Sequence, residues 1–189
     1  ELEKVELIIN KIASDPEDDD VRRVELELWK KIKDMALKGR RTGLGITAEG
    51  DMLAALGLRY GSEEAIDFAV EVHKTLAVEA YRASVMMAKD RGAFGVFNFE
   101  KEQGNPMVGR ILEAAPELRE LMQQYGRRNI AMLTIAPTGT TSLMSQTTSG
   151  IEPVFRPVYK RRRKINPSDK DQVASFVDET GEKFIEYYV

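Results

Sequence analysis

The chain of 189 residues contains no cysteine and a single histidine, His73. Without a thiol, disulfides, thiolate metal sites and thiol chemistry within this chain are excluded. One imidazole excludes a histidine-rich metal centre as well. A serine–histidine–aspartate site would have to recruit His73, and no G-x-S-x-G elbow accompanies it. No apolar run approaches the roughly 20 residues that cross a bilayer. The opening ELEKVEL carries no signal-peptide pattern, so a cytoplasmic protein without a membrane partner is expected, and the missing initiator methionine is expected of a processed or excised piece. Nor is there an excess of positive charge. The 28 Lys and Arg against 31 Asp and Glu leave −3, which does not favour nucleic acid as a partner. The one basic run, residues 160–164 (KRRRK), reads as a solvated surface segment.

What is present begins with an apolar fraction of 42 %, enough for a core, and a charged fraction of 31 % for a solvated surface. The length is that of one domain or part of a larger one. The most informative stretch is residues 129–153, NIAMLTIAPTGTTSLMSQTTSGIEP. An apolar run, Ile130 to Ala136, stops at Pro137 and is followed by the small, mostly hydroxylated Thr138, Gly139, Thr140, Thr141 and Ser142. A buried strand feeding a short helix through a hydroxyl-rich turn has this form. Such a turn presents backbone N–H groups and hydroxyls to a phosphate. The competing reading is ordinary helix capping, which the same residue types favour.

Helical spacing dominates the rest. Val5, Ile8, Ile9 and Ile12 predict a first helix over residues 1–13. Asp15 and Pro16 read as the cap and first position of a second, reaching Lys38 with Val21, Val24, Leu28, Ile32 and Met35 on one face. A glycine-rich segment, residues 39–61, predicts close backbone approaches and a short helix over 48–58 burying Leu53, Leu56 and Leu58. No strand pattern precedes it, so a dinucleotide fingerprint lacks its structural context. Ser62 caps a long helix to Asp90 striped by Ala65, Ala69, Val72, Leu76, Ala80, Ala83 and Met87, with His73 beside the stripe as a structural histidine. Asn105-Pro106 and Pro116 open two more helices, the second closed by Gly126. Val154–Tyr159 reads as a second strand, and a final amphipathic helix with Val173, Phe176 and Val177 is expected after Pro167-Ser168. The sum is a helix-rich α/β chain with too few strands to close a sheet of its own.

Residues 127–155, RRNIAMLTIAPTGTTSLMSQTTSGIEPVF, and residues 39–66, GRRTGLGITAEGDMLAALGLRYGSEEAI, carry a resemblance. In motif order and spacing they resemble the large, catalytic chain of ribonucleotide reductases, most closely the adenosylcobalamin-dependent class II. The resemblance covers residues 20–165 and implies a partial segment of a ten-stranded α/β barrel. On it, the chain is one fragment of a larger barrel domain, with residues 1–38 a helical lead-in, 39–165 the family-like barrel segment and 166–189 a helical tail.

The family reduces ribonucleotides to 2′-deoxyribonucleotides through a cysteine thiyl radical. Adenosylcobalamin generates the radical and a cysteine pair supplies the electrons. The implied substrate-phosphate residues are Thr138, Gly139, Thr140, Thr141 and Ser142, and the implied active-site turn is Gly150, Ile151, Glu152 and Pro153. No catalytic residue and no metal ligand is expected in this chain. The family's Asn-x-Cys-x-Glu arrangement is absent, and the cysteine that many relatives place near Thr147 or Thr148 is missing. GITAEGD departs from the usual G-L-A-D form, which leaves the roles of Ala48 and Glu49 open. The expected partners are a ribonucleoside di- or triphosphate and the cysteine-bearing remainder of the barrel. The parent is then an enzyme and this piece alone is inactive. Two alternatives stand beside that reading: a non-catalytic subunit completing a split reductase, and a stand-alone nucleotide-binding module.

Overall fold

The computed structural model describes residues 2–166, 168–169 and 171–188. In chain order the helices are α1 (Leu2–Ala13), α2 (Asp19–Gly39), α3 (Glu49–Ala55), α4 (Glu63–Arg91), α5 (Phe99–Glu102), α6 (Pro106–Ala114), α7 (Leu118–Tyr125) and α8 (Gly139–Ser145). Three strands follow: β1 (Lys160–Lys164), β2 (Phe176–Val177) and β3 (Lys183–Tyr188). The chain is therefore helix-rich α/β with a small open sheet. It divides into two compact units, one of Glu1–Ile46 and Gly57–Pro137, the other of Thr47–Leu56 and Thr138–Val189. These units interleave along the chain.

In the first unit α4, α6 and α7 surround the core. Val85, Leu118 and Met122 are completely buried, with Val108, Ile111 and Leu112 around them. Each such side chain contributes about 1.5–3 kcal/mol. The helix ends follow their residues: Ser62 Oγ accepts the Ala65 N–H at 3.3 Å, Asn105 Oδ1 accepts the Met107 N–H at 2.9 Å, and Gly126 closes α7 at φ +70°. On α4 the expected stripe holds at its start, where Ala65 is buried, but from Ala77 on the buried line is Ala77, Tyr81, Ser84, Val85 and Ala88, rotated from the stripe, whose Met87 is 39 % exposed. A tyrosine and a serine stand within that line, and their polarity concealed it. The second helix opens at Asp18, whose side chain accepts the Asp20 N–H at 2.9 Å, and not at Asp15. Its apolar face, Val21 to Met35, stays between 39 % and 65 % exposed.

Buried polarity in this unit centres on Arg127. Its guanidinium grips Glu102 through three contacts of 2.7–3.1 Å, donates to the carbonyls of Asn129 and Ile130, and lies over the rings of Tyr81 and Phe94 at 5.4 and 5.2 Å. Burial pushes the Tyr81 phenol above its ordinary 10.0, with Arg127 opposing the rise. Beside it, Ser84 Oγ donates to Asn129 Oδ1 at 2.9 Å and accepts the Asn129 N–H at 3.1 Å. These bonds fix the start of the apolar run at residues 130–136. That run is extended and makes a parallel bridge, Leu44 to Leu133, flanked by Leu44 N–H to Met132 O at 2.6 Å and Thr134 N–H to Leu44 O at 3.0 Å. Gly45 permits it, since a Cβ there would stand 2.4 Å from Thr134 O. The run is only partly the buried strand expected: Met132 is 5 % exposed but Ile135 is 65 % exposed.

In the second unit the sheet order is β1-β3-β2, both pairings antiparallel. It replaces two expected elements. Pro157 removes a ladder donor from the middle of Val154–Tyr159; the strand begins at Lys160 and the basic run itself pairs with β3. The expected C-terminal helix is instead β2, a turn and β3; Pro167 lies outside the described residues. Asp178 makes the turn, its Oδ1 accepting the N–H groups of Thr180 at 3.0 Å and Glu182 at 2.8 Å, with Gly181 at φ +83°. The i, i+3, i+4 spacing of Val173, Phe176 and Val177 hid a hairpin whose signal was the Asp178–Gly181 turn.

Candidate functional site

The second unit brings together two stretches far apart in sequence, residues 47–51 and 138–153. Helix α3 enters at Ala48, which sits in the left-handed region at φ +65°. Gly50 lies flat against the turn after α8, where a Cβ would meet Pro153 Cα at 2.5 Å and Glu152 O at 2.7 Å. Four further contacts close the joint. Glu49 N–H donates to Gly150 O at 3.1 Å, Thr148 N–H to Asp51 Oδ2 at 2.8 Å, Thr47 Oγ1 to Thr148 O at 3.2 Å, and Gly150 N–H to Thr138 Oγ1 at 2.9 Å.

The structure assigns different surroundings to the five residues of the hydroxyl-rich turn. Thr138 is partly buried at φ +47°, the N-cap position of α8, with no side-chain bond to the helix. For a β-branched residue that conformation costs roughly 1–2 kcal/mol. Ser142 is 7 % exposed and its hydroxyl donates to Gly139 O at 2.8 Å. Gly139, Thr140 and Thr141 are exposed. Ser142 N–H makes the first bond of the helix, to Thr138 O at 2.8 Å, so the amides of Gly139, Thr140 and Thr141 precede the helical ladder. Three amides and two threonine hydroxyls on one turn form an arrangement able to receive an anion.

The second predicted turn is equally defined. Gly150 is buried at φ +59° and bonds on both sides of its peptide, to Thr138 and to Glu49. Ile151 is partly buried, and Glu152 and Pro153 are exposed. Glu152 joins Asp51, Ser142, Gln146, Thr147, Thr148, Ser149, Pro153 and Val154 around a cavity of about 460 Å³. The Thr148 hydroxyl is buried there without a hydrogen-bond partner.

The sequence missed Thr47 and Asp51, which make this joint. Their signal was a threonine and an aspartate flanking a short helix entry, and an alanine in left-handed conformation at position 48 has no sequence signature. His73 is partly buried and lines an apolar cavity of about 310 Å³ with Leu76, Ala77 and Met107 in the first unit. Among the described residues no group of His, Cys, Asp and Glu is placed to hold a metal ion, and no helix is long and apolar enough to cross a membrane. In the basic run Lys160 and Arg162 bond Glu186 of β3, Lys164 bonds Glu182, and Arg163 bonds Asp169 and Gln172.

Against known families, a model described as the ribonucleotide reductase barrel domain matches residues 19–179. A vitamin B12-dependent ribonucleoside-diphosphate reductase of Mycobacterium tuberculosis is 34 % identical over 143 residues, 76 % of this chain and 18 % of that protein. The enzyme of the same name from Thermoplasma acidophilum is 32 % identical over 145 residues, covering 75 % of this chain and 16 % of the relative. A ribonucleoside-diphosphate reductase subunit alpha of Chlamydia pneumoniae is 29 % identical over 146 residues, 67 % of this chain and 14 % of its own length. The chain thus spans less than a fifth of the curated relatives it matches.

Proposed function

The chain belongs to the ribonucleotide reductase barrel-domain family, and from that premise we propose that it supplies the substrate-phosphate turn of a parent enzyme reducing ribonucleoside diphosphates to 2′-deoxyribonucleotides by a thiyl-radical mechanism. The observation that carries this is the turn at the head of α8, where the amides of Gly139, Thr140 and Thr141 lie ahead of the helical ladder beside exposed threonine hydroxyls. Neutral donors grip a diphosphate without a buried cation. Fixing the phosphates holds the ribose in one orientation, which lowers the entropic part of the barrier. Gly150 to Pro153 form the neighbouring wall, and Glu152 stands at a polar cavity with no catalytic role assigned to it.

The parent's proposed cofactor is adenosylcobalamin, after the names of relatives. This chain's donor set does not fit that group's chemistry. There is no thiol to carry a radical or a reducing pair, and its one histidine lines an apolar cavity. Radical generation and electron supply belong to other parts of the parent, and the cysteine-free chain alone is inactive. The proposed architecture is a segment of a ten-stranded α/β barrel. Support comes from surfaces that a larger barrel would cover: Leu143, Met144 and Phe155 are 81 %, 84 % and 91 % exposed. Patches of this kind mark contact with other protein. The same exposures favour a second reading, a non-catalytic subunit that completes the barrel of a separate cysteine-bearing polypeptide.

The test is ribonucleotide reduction by this chain, alone and mixed with the cysteine-bearing remainder, with adenosylcobalamin and a dithiol present. Activity in the mixture only is expected. In that mixture Thr140→Ala with Thr141→Ala should raise KM for the diphosphate by roughly tenfold, the loss of about one hydrogen bond to a charged group. Activity of the chain alone, or an unchanged KM in the double variant, sinks the proposal.

A further inference from the structure

We infer that Thr47 is a positioning residue for the anion-facing turn, acting through Thr138; the inference rests on the phosphate reading above. Each threonine hydroxyl has one hydrogen to give. That of Thr47 goes to the Thr148 carbonyl, an acceptor only, at 3.2 Å. The 3.1 Å contact between Thr47 Oγ1 and Thr138 Oγ1 is therefore donated by Thr138. Thr138 Oγ1 in turn receives the Gly150 N–H at 2.9 Å. The relay has one direction: Gly150 N–H to the Thr138 hydroxyl, to the Thr47 hydroxyl, to the Thr148 carbonyl.

Two consequences follow from that direction. Thr138 has no hydrogen left for a phosphate, and the Ser142 hydrogen is committed to Gly139 O at 2.8 Å. Donation to an anion falls to Gly139, Thr140 and Thr141, while Thr138 and Ser142 shape the turn from within. The second consequence concerns strain. Glycine or asparagine would occupy φ +47° with less strain than threonine. What threonine adds is a hydroxyl that ties the head of α8 to the turn behind it. Thr47 orients that hydroxyl by accepting from it, and with Asp51 it holds both backbone groups of Thr148. The segment GITAEGD, whose role the sequence left open, is thus the brace of the turn.

The experiment uses the reductase chain that carries this sequence, with KM and kcat for a ribonucleoside diphosphate as readouts and circular dichroism to verify folding. Thr47→Val keeps the side-chain shape and removes the relay; Thr47→Ser restores the hydroxyl. KM should rise roughly tenfold in Thr47→Val with kcat changed less than about twofold, and Thr47→Ser should return KM to within about twofold of the parent. In a Thr138→Gly background, where the relay is already broken, Thr47→Val should add nothing. The Thr140→Ala, Thr141→Ala double variant is the reference for the phosphate reading. A raised KM in that double variant with an unchanged KM in Thr47→Val overturns the positioning role alone. So does a Thr47→Ser variant as impaired as Thr47→Val, or full additivity with Thr138→Gly. An unchanged KM in the double variant overturns the phosphate reading and the positioning role with it. If Thr47→Val fails to fold, Thr47→Ala, which adds no methyl beside the relay, is measured in its place against the same outcomes.

Discussion

In the helical unit a guanidinium is buried with its carboxylate, two carbonyls and two aromatic faces around it; in the other unit the internal polar contacts at the head of α8 are made by neutral hydroxyls and amides. The first arrangement is rigid and costly to disturb, because removing one ion strands the other in a low dielectric. The second holds strained backbone, with Ala48, Thr138 and Gln146 all at positive φ, and leaves three amides unused by the helix. Strain of this sort concentrates where a surface must recognise something. Stability is lodged in one unit and the proposed recognition in the other.

The largest expected effect tests the stable side of that contrast. Arg127→Met leaves Glu102 and the carbonyls of Asn129 and Ile130 without their donor, in a site where the Arg127 side chain is 3 % exposed. A loss of about 3–5 kcal/mol is expected in urea unfolding, and Arg127→Lys should not restore it, because an ammonium cannot reproduce the fork. A loss below about 1 kcal/mol would erase the distinction between the units.

The next effect lies on the recognition side. Gly50→Ala sets a Cβ 2.5 Å from Pro153 Cα, a backbone atom that cannot swing away. It should cost about 1–3 kcal/mol and raise KM for the nucleotide in the parent enzyme, since α3 and the turn must part. A stable variant with unchanged KM would show that the joint between them is loose.

The smallest effect concerns the sheet. Hydrogen bonds from Arg162 and then Lys160 hold the Glu186 carboxyl below its ordinary 4.5. A carboxyl depressed in the folded state contributes stability above its unfolded pKa and loses it as pH falls through the folded value. In acid titration, parent and Glu186→Gln unfolding curves should converge below the carboxylate range and separate slightly above it. Curves that separate only in acid would reverse the sign assigned to this pair.

The helical half of the fold was legible because capping and periodicity are local. Ser62, Asn105 and Gly126 announced their helix ends, and the Pro137–Ser142 turn announced a helix start. Legibility failed where the deciding partner lay far along the chain. Past Ala77 the alanine line on α4 gives way to Tyr81 and Ser84, whose polar groups meet Arg127 and Asn129, more than forty residues away. The basic run became an edge strand because β3, not its own composition, offers it a ladder. The C-terminal hairpin was misread because a three-residue helical spacing coincided with two strand residues and their turn.

By itself the sequence determined the helix-rich class, the absence of thiol chemistry and the family, since these follow from composition, short-range spacing and an ordered pair of motifs. Only the tertiary structure decided which hydroxyls of the turn face outward and which are committed inward. Thr138 and Thr140 carry the same side chain two residues apart, and what separates them is a hydrogen bond from Gly150 and an acceptor, Thr47, 91 residues earlier in the chain. A hydroxyl's role is set by where its single hydrogen goes, and that depends on a partner which no local pattern names.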